Sequence, residues 1–173
     1  MNYLIRAAIQ DLVAPENQIR CSSWLWHQGM VELKRRGMSR HESGAFLLGN
    51  REGTKRKVNQ FIYYDDLDPH CLDSGIVKID GSAFGKLWTI CREAGLEVVA
   101  DVHTHPGLPF QSRTDQQNPM IGVAGHIAII VPNLAQRVVP VKELGIYEYR
   151  GNHKWRPYLG NQASKFFYIG LWS

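Results

Sequence analysis

Apolar positions along this chain recur with two different periods, and the expected elements follow from where each applies. Trp26, Met30 and Leu33 stand at the i, i+4, i+7 spacing of one helical face. Ser22 or Ser23 is placed to cap that helix, and Gly37 to stop it just after Arg36. Residues 44–48 (GAFLL) and 58–64 (VNQFIYY) read as neighbouring strands joined by a polar hairpin around Glu52 and Gly53. No period runs through 65–75, where acidic residues, Pro69 and Gly75 predict a loop. A second helix follows Ser82, with Phe84, Leu87, Trp88 and Cys91 on one face and Gly95 at its end.

The Val-rich segment 97–105 then reads as a strand, and 106–111, with two prolines and a glycine, as a turn-forming loop. The uninterrupted apolar run at 127–131 suits a strand buried on both faces. Segments 145–149 and 165–172 are further strand candidates. Strands interspersed with helices, with no repeat and no Pro/Gly/Ser-rich linker, predict an α/β or α+β chain on one central sheet, a single domain over 1–173.

Composition narrows the class. The 173 residues are 44% apolar and 21% charged, as in an ordinary compact globular chain. Lys and Arg exceed Asp and Glu by only 20 to 16, so no nucleic-acid partner is implied. The densest basic run, REGTKRK at 51–57, reads as a solvated hairpin tip. Cys21, Cys71 and Cys91 form no CxxC pair and read as buried free thiols in a reducing compartment. Arg6, Gln10 and Asp11 interrupt the amino-terminal segment, unlike a signal peptide, and the longest apolar run, 121–131, contains His126 and is far short of the ~20 residues that cross a bilayer. A cytoplasmic protein without membrane contact is expected.

The segment 101–115, DVHTHPGLPFQSRTD, is where chemistry concentrates. Side chains two apart on a strand share a face, so His103 and His105 stand side by side, ~7 Å apart at Cα, and can chelate one metal. Asp115, returned toward the strand by the Pro/Gly loop, can supply a third ligand and leave a fourth position open, as a zinc hydrolase needs. Alone, an HxH pair is compatible with ordinary strand histidines, and Ser112-x-x-Asp115 with a helix capping box. Asp101 lies on the same strand face and is a rival carboxylate ligand, or a residue that orients a histidine from behind. Upstream, HESGAFLLG at 41–49 places Glu42 just before a buried strand.

Taken together, an acid before an apolar strand ending in glycine, then HxHPG and Ser-x-x-Asp, resembles the JAMM (JAB/MPN) family of zinc metalloproteases, especially its small stand-alone prokaryotic isopeptidases. The likeness spans about 24–149, and the loop 107–111 between the HxHP proline and Ser112 holds one residue fewer than the family most often has. The resemblance implies a mixed central sheet flanked by helices in the MPN, cytidine-deaminase-like arrangement. It implies that His103, His105 and Asp115 bind Zn2+, that Glu42 is the general base and that Ser112 polarises the scissile carbonyl. It also implies hydrolysis of the amide bond at the carboxyl terminus of a ubiquitin-like protein, with that protein, its conjugates and the associated conjugation enzymes as partners, in a bacterial conjugation and antiphage-defence setting. Such a tail would lie extended beside the sheet, with loop 65–75 as one wall of its groove. A non-catalytic MPN scaffold, and a zinc hydrolase processing a sulfur-carrier protein or an amino-acid adduct, are the alternatives. The remaining histidines, His27, His41, His70, His126 and His153, are read as structural or surface residues.

Overall fold

The computed structural model describes residues 17–75 and 77–171, and the amino-terminal segment and the last residue of the 165–172 strand candidate lie outside them. The chain forms β1 (Ile19–Ser22), α1 (Ser23–Arg36), β2 (Gly44–Glu52), β3 (Lys55–Tyr63), α2 (Tyr64–Leu67), α3 (Ala83–Ala94) and β4 (Glu97–Thr104). It continues through α4 (Arg113–Gln117), β5 (Ile127–Val131), β6 (Gly145–Tyr149), β7 (Trp155–Tyr158), α5 (Asn161–Phe166) and β8 (Phe167–Gly170). All eight strands join one mixed sheet in the order β7-β6-β5-β4-β2-β3-β1-β8, the α/β architecture expected from the sequence.

Helix α1 begins where its cap was expected, with Ser22 Oγ accepting from the Leu25 N–H, and it buries Trp26, Gly29, Met30 and Leu33 against one face of the sheet. A Cβ at Gly29 would stand 2.5 Å from the Phe61 ring, so the glycine lets helix and sheet approach closely. Trp26 meets Phe167 edge-on at 5.0 Å, which ties the carboxyl-terminal strand into the same layer. On the opposite face α3 packs Ala83, Leu87 and Cys91 over Phe46, Leu48 and Ile62. Trp88, expected on that buried face, is 44% exposed. The three cysteines are free and buried.

Several elements differ from the sequence reading. The 65–75 segment starts in helix α2, whose Tyr64 and Leu67 bury against the α3 layer. The first two residues of the 165–172 candidate belong to helix α5, because Ala163 and Phe166 fill one side of the core before the chain extends. Strands β1 and β7 were not foreseen, since four residues are too few to show a period. The basic run lies largely at an exposed hairpin, but Arg56 is buried and donates from Nη2 to the Gly125 carbonyl at 2.6 Å. Among the described residues no helix is long and apolar enough to cross a membrane.

Candidate metal centre

Strand order brings the chemistry together. Antiparallel pairing sets Gly44 opposite His103 and Phe46 opposite Asp101, while parallel pairing sets Asp101 beside Ala128 on β5. The entrance of β2, which carries Glu42, therefore meets the carboxyl end of β4, which carries the histidines. His105 lies just past β4, its N–H donating to the Val131 carbonyl at 2.9 Å. Its own carbonyl accepts from Leu134 at 2.8 Å, and the Gly107 carbonyl accepts from Asn133 at 3.0 Å. Those bonds come from a turn in which Asn133, Leu134 and Ala135 have φ of 53°, 52° and 53°. A left-handed conformation costs about 1–2 kcal/mol per non-glycine residue. The bonds to the histidine loop help to offset that strain.

The Nε2 atoms of His103 and His105 lie 3.1 Å apart. Asp115 places Oδ1 3.6 Å from His103 Nε2 and Oδ2 3.3 Å from His105 Nε2. Bonds of about 2.0–2.1 Å in a tetrahedral centre set neighbouring donor atoms roughly 3.3–3.4 Å apart, so the three groups fit around one metal ion. They are also the His/Cys/Asp/Glu group among the described residues whose donor atoms converge, all within 4.8 Å of one another. Burial of His103 works against protonation, but Asp101, Asp115 and Glu42 outweigh it and raise its pKa. Burial likewise opposes ionisation of Asp115, yet His105, His103 and Ser112 together hold its carboxyl at about 2. Each shift has its cause in the other group, as closely packed donors of opposite charge favour one another's charged forms.

Asp101, the rival ligand, is turned away from this point. Its Oδ1 lies 2.6 Å from His126 Nε2, and its Oδ2 accepts from the Tyr64 hydroxyl at 3.2 Å. Burial opposes its charge, but His103 and His126 outweigh burial and keep the pKa below the usual carboxylate range.

Glu42 has Oε1 4.0 Å from His105 Nε2, beside the converging donor group but outside it. Burial raises its pKa, partly countered by the two histidines and by the Val77 N–H, which bonds its carboxylate. Its own N–H donates to the Gly75 carbonyl at 3.1 Å. The loop expected to wall the groove thus orients the acid, and the wall residue on that side is Val77, just beyond it.

Ser112 forms the capping box its spacing suggested. Its Oγ accepts from the Asp115 N–H at 3.2 Å, and its N–H donates to Asp115 Oδ2 at 2.6 Å. It also lines a cleft of about 230 Å³ with Glu42, Asp101, His103 and Asp115. Capping and exposure to the cleft coexist in one residue.

The outer wall comes from residues the sequence did not single out. Met120 and Trp155 line the cleft, and the Trp155 indole donates to the Gln116 carbonyl on α4 at 3.1 Å. Tyr147 donates from its hydroxyl to the Pro109 carbonyl at 2.9 Å and pins the loop that leads to Ser112. His126, read from the sequence as structural or surface, carries a legible signal, an ionisable side chain inside the longest apolar run.

The family model described as prokaryotic homologs of the JAB domain matches residues 26–141, more than half of the chain. A protein of Sinorhizobium fredii named "Probable metalloprotease y4jG" is 21% identical over 125 residues, which is 72% of this chain and 77% of that protein. A solution structure of protein DSY2949 from Desulfitobacterium hafniense superposes with a TM-score of 0.61 at 18% identity, over 87% of this chain and 92% of that one, a likeness of fold.

Proposed function

Because this chain belongs to the family of prokaryotic homologs of the JAB domain, we propose that it is a metal-dependent hydrolase of the JAMM type. His103, His105 and Asp115 hold a zinc ion, and the scissile bond is the amide at the carboxyl terminus of a ubiquitin-like protein. The observation that carries the reading is the convergence of two imidazole nitrogens and one carboxylate within 4.8 Å, with an acid, Glu42, 4.0 Å from His105 and outside the ligand group. Zinc has no ligand-field preference, and a three-ligand nitrogen/oxygen site with an open position is characteristic of its hydrolytic centres.

Bound there, the metal supplies Lewis acidity toward water and carbonyl oxygen. Glu42 accepts the proton of the attacking water at its carboxylate and delivers it to the departing amine nitrogen. Burial raises its pKa, which favours acceptance of a proton by the carboxylate. Ser112 Oγ, on the cleft wall, donates to the carbonyl oxygen as negative charge develops there. The cleft's 230 Å³ is small for a folded partner, which favours an extended tail of small residues that brings only its last peptide units to the metal. The rest of that tail and the protein that carries the departing amine are recognised outside the cleft, and the setting is a cytoplasmic conjugation system linked to antiphage defence.

Metal analysis of the purified protein, paired with cleavage of ubiquitin-like proteins fused at their carboxyl terminus to a reporter, tests the proposal. About one zinc per chain and release of the reporter at the last residue of the tail are expected. Zinc-loaded protein that leaves every such fusion intact while hydrolysing another amide would move the substrate class. A chain that takes up no metal would end the hydrolase reading and favour a binding scaffold.

A further inference from the structure

Behind the donor group lies a second set of polar side chains that ligand geometry alone does not require. Asp101 is 1% exposed and sits in the middle of the sheet, where an ionised carboxylate is costly unless its oxygens are bonded. Both are engaged from residues distant in sequence, Oδ1 by His126 at 2.6 Å and Oδ2 by the Tyr64 hydroxyl at 3.2 Å. Oδ2 also faces His103 Nδ1 at 3.8 Å, and that buried nitrogen has no hydrogen-bond partner.

The backbone keeps this arrangement in place. His126 sits just before β5, two residues from Ala128, which pairs beside Asp101, so the two share a sheet face. Its N–H donates to the Val123 carbonyl at 3.0 Å and its carbonyl accepts from Tyr149 at 2.8 Å. Tyr64 reaches Asp101 only because Gly44, opposite His103, has no side chain: a Cβ there would overlap the Tyr64 ring.

A neutral imidazole carries one proton. For Nε2 of His103 to present a lone pair toward His105 and Asp115, that proton must be on Nδ1, and a fixed anion behind Nδ1 is what favours it there. We infer that His126 is a positioning residue for the metal: it holds Asp101 so that the carboxylate fixes the tautomer and ring orientation of His103, with Tyr64 as a second, weaker hold. His126 itself touches neither metal nor substrate, and the arrangement extends the donor set by two layers into the core. The inference rests on the metal reading above.

The test measures zinc affinity of the metal-stripped protein by competition with a coloured chelator, the unfolding midpoint of the same metal-free samples, and the visible d–d spectrum after cobalt loading. His126→Leu removes the donor and keeps the bulk, and it should weaken zinc binding by roughly 10–100-fold and shift the cobalt bands. His126→Gln places an amide N–H at the reach of Nε2 and should restore most of the affinity and the wild-type spectrum. Tyr64→Phe should fall between His126→Leu and wild type. Wild-type zinc affinity in His126→Leu would overturn the inference. So would equal losses in His126→Leu and His126→Gln with an unshifted cobalt spectrum, since any change at the position would then act through packing alone. If His126→Leu does not fold, Asp101→Asn decides, because it keeps size and burial while replacing the acceptor, and undiminished zinc binding in it overturns the inference. A wild-type protein that binds no zinc sinks the metal reading itself, which is a distinct result from variants that bind as well as a metal-binding wild type.

Discussion

His103 on β4 and Asp115 on α4 face each other across 3.6 Å, yet they are held by unlike means. His103 projects from an interior strand paired on both sides, with a buried carboxylate behind its ring. Asp115 sits on a five-residue helix with no buried residue of its own, located by the Ser112 cap, by Trp155 on the Gln116 carbonyl and, one loop earlier, by Tyr147 on the Pro109 carbonyl. Sheet pairing is cooperative and hard to displace, whereas each side-chain tie contributes about 0.5–1.5 kcal/mol. The inner half of the centre is therefore fixed by the fold, and the outer half by a few separable contacts that leave it room to adjust around a substrate.

Substitutions on the two sides should differ in kind. The largest effect is expected for His103→Ala on the inner side, which removes a ligand and should leave the purified protein without most of its metal, read by elemental analysis. Wild-type metal content in that variant, with loss in Asp101→Ala instead, would reverse the roles assigned to the two residues. Glu42→Gln, at the entrance of β2, should keep metal and fold while turnover on a carboxyl-terminal fusion falls by roughly 10²–10⁴-fold, the usual contribution of a positioned acid–base group. A metal-loaded Glu42→Gln protein that cleaves at the normal rate would remove the base from the mechanism.

On the outer side Ser112 has two roles that should separate. Loss of a carbonyl-polarising donor predicts a fall of about 10²–10³ in turnover. Loss of a helix cap predicts a stability cost of about 0.5–2 kcal/mol. Ser112→Ala is expected to show both, with weaker metal retention because Asp115 loses its hold. A lowered unfolding midpoint with unchanged turnover would leave the cap as its whole function. The smallest effects belong to Trp155→Phe and Tyr147→Phe, each removing one hydrogen bond and retaining the ring. Each should change metal affinity or turnover by no more than about tenfold, as one neutral hydrogen bond allows. A collapse of activity in either would show that the outer half is no looser than the inner one.

Much of this was legible in the chain itself. The i, i+4, i+7 spacing of Trp26, Met30 and Leu33 specified α1, and the apolar run at 127–131 specified a strand buried on both faces. The alternation His103–Thr104–His105 specified two imidazoles on one side, and Ser112-x-x-Asp115 a capped turn, because those relations lie within a few residues and depend only on local backbone geometry. Strand order decided the rest. It placed Glu42 within 4.0 Å of His105, gave Asp101 to Tyr64 and His126 rather than to the converging group of His103, His105 and Asp115, and brought Trp155 to the cleft wall. Nothing in the local pattern around Asp101 distinguishes a ligand from a residue behind one. That distinction was made by which strands lie on either side of β4, and by a missing Cβ at Gly44 that lets a tyrosine at the start of α2 stand where it does. Periodicity fixes the face a side chain takes, and only the packing of distant segments fixes what it meets there.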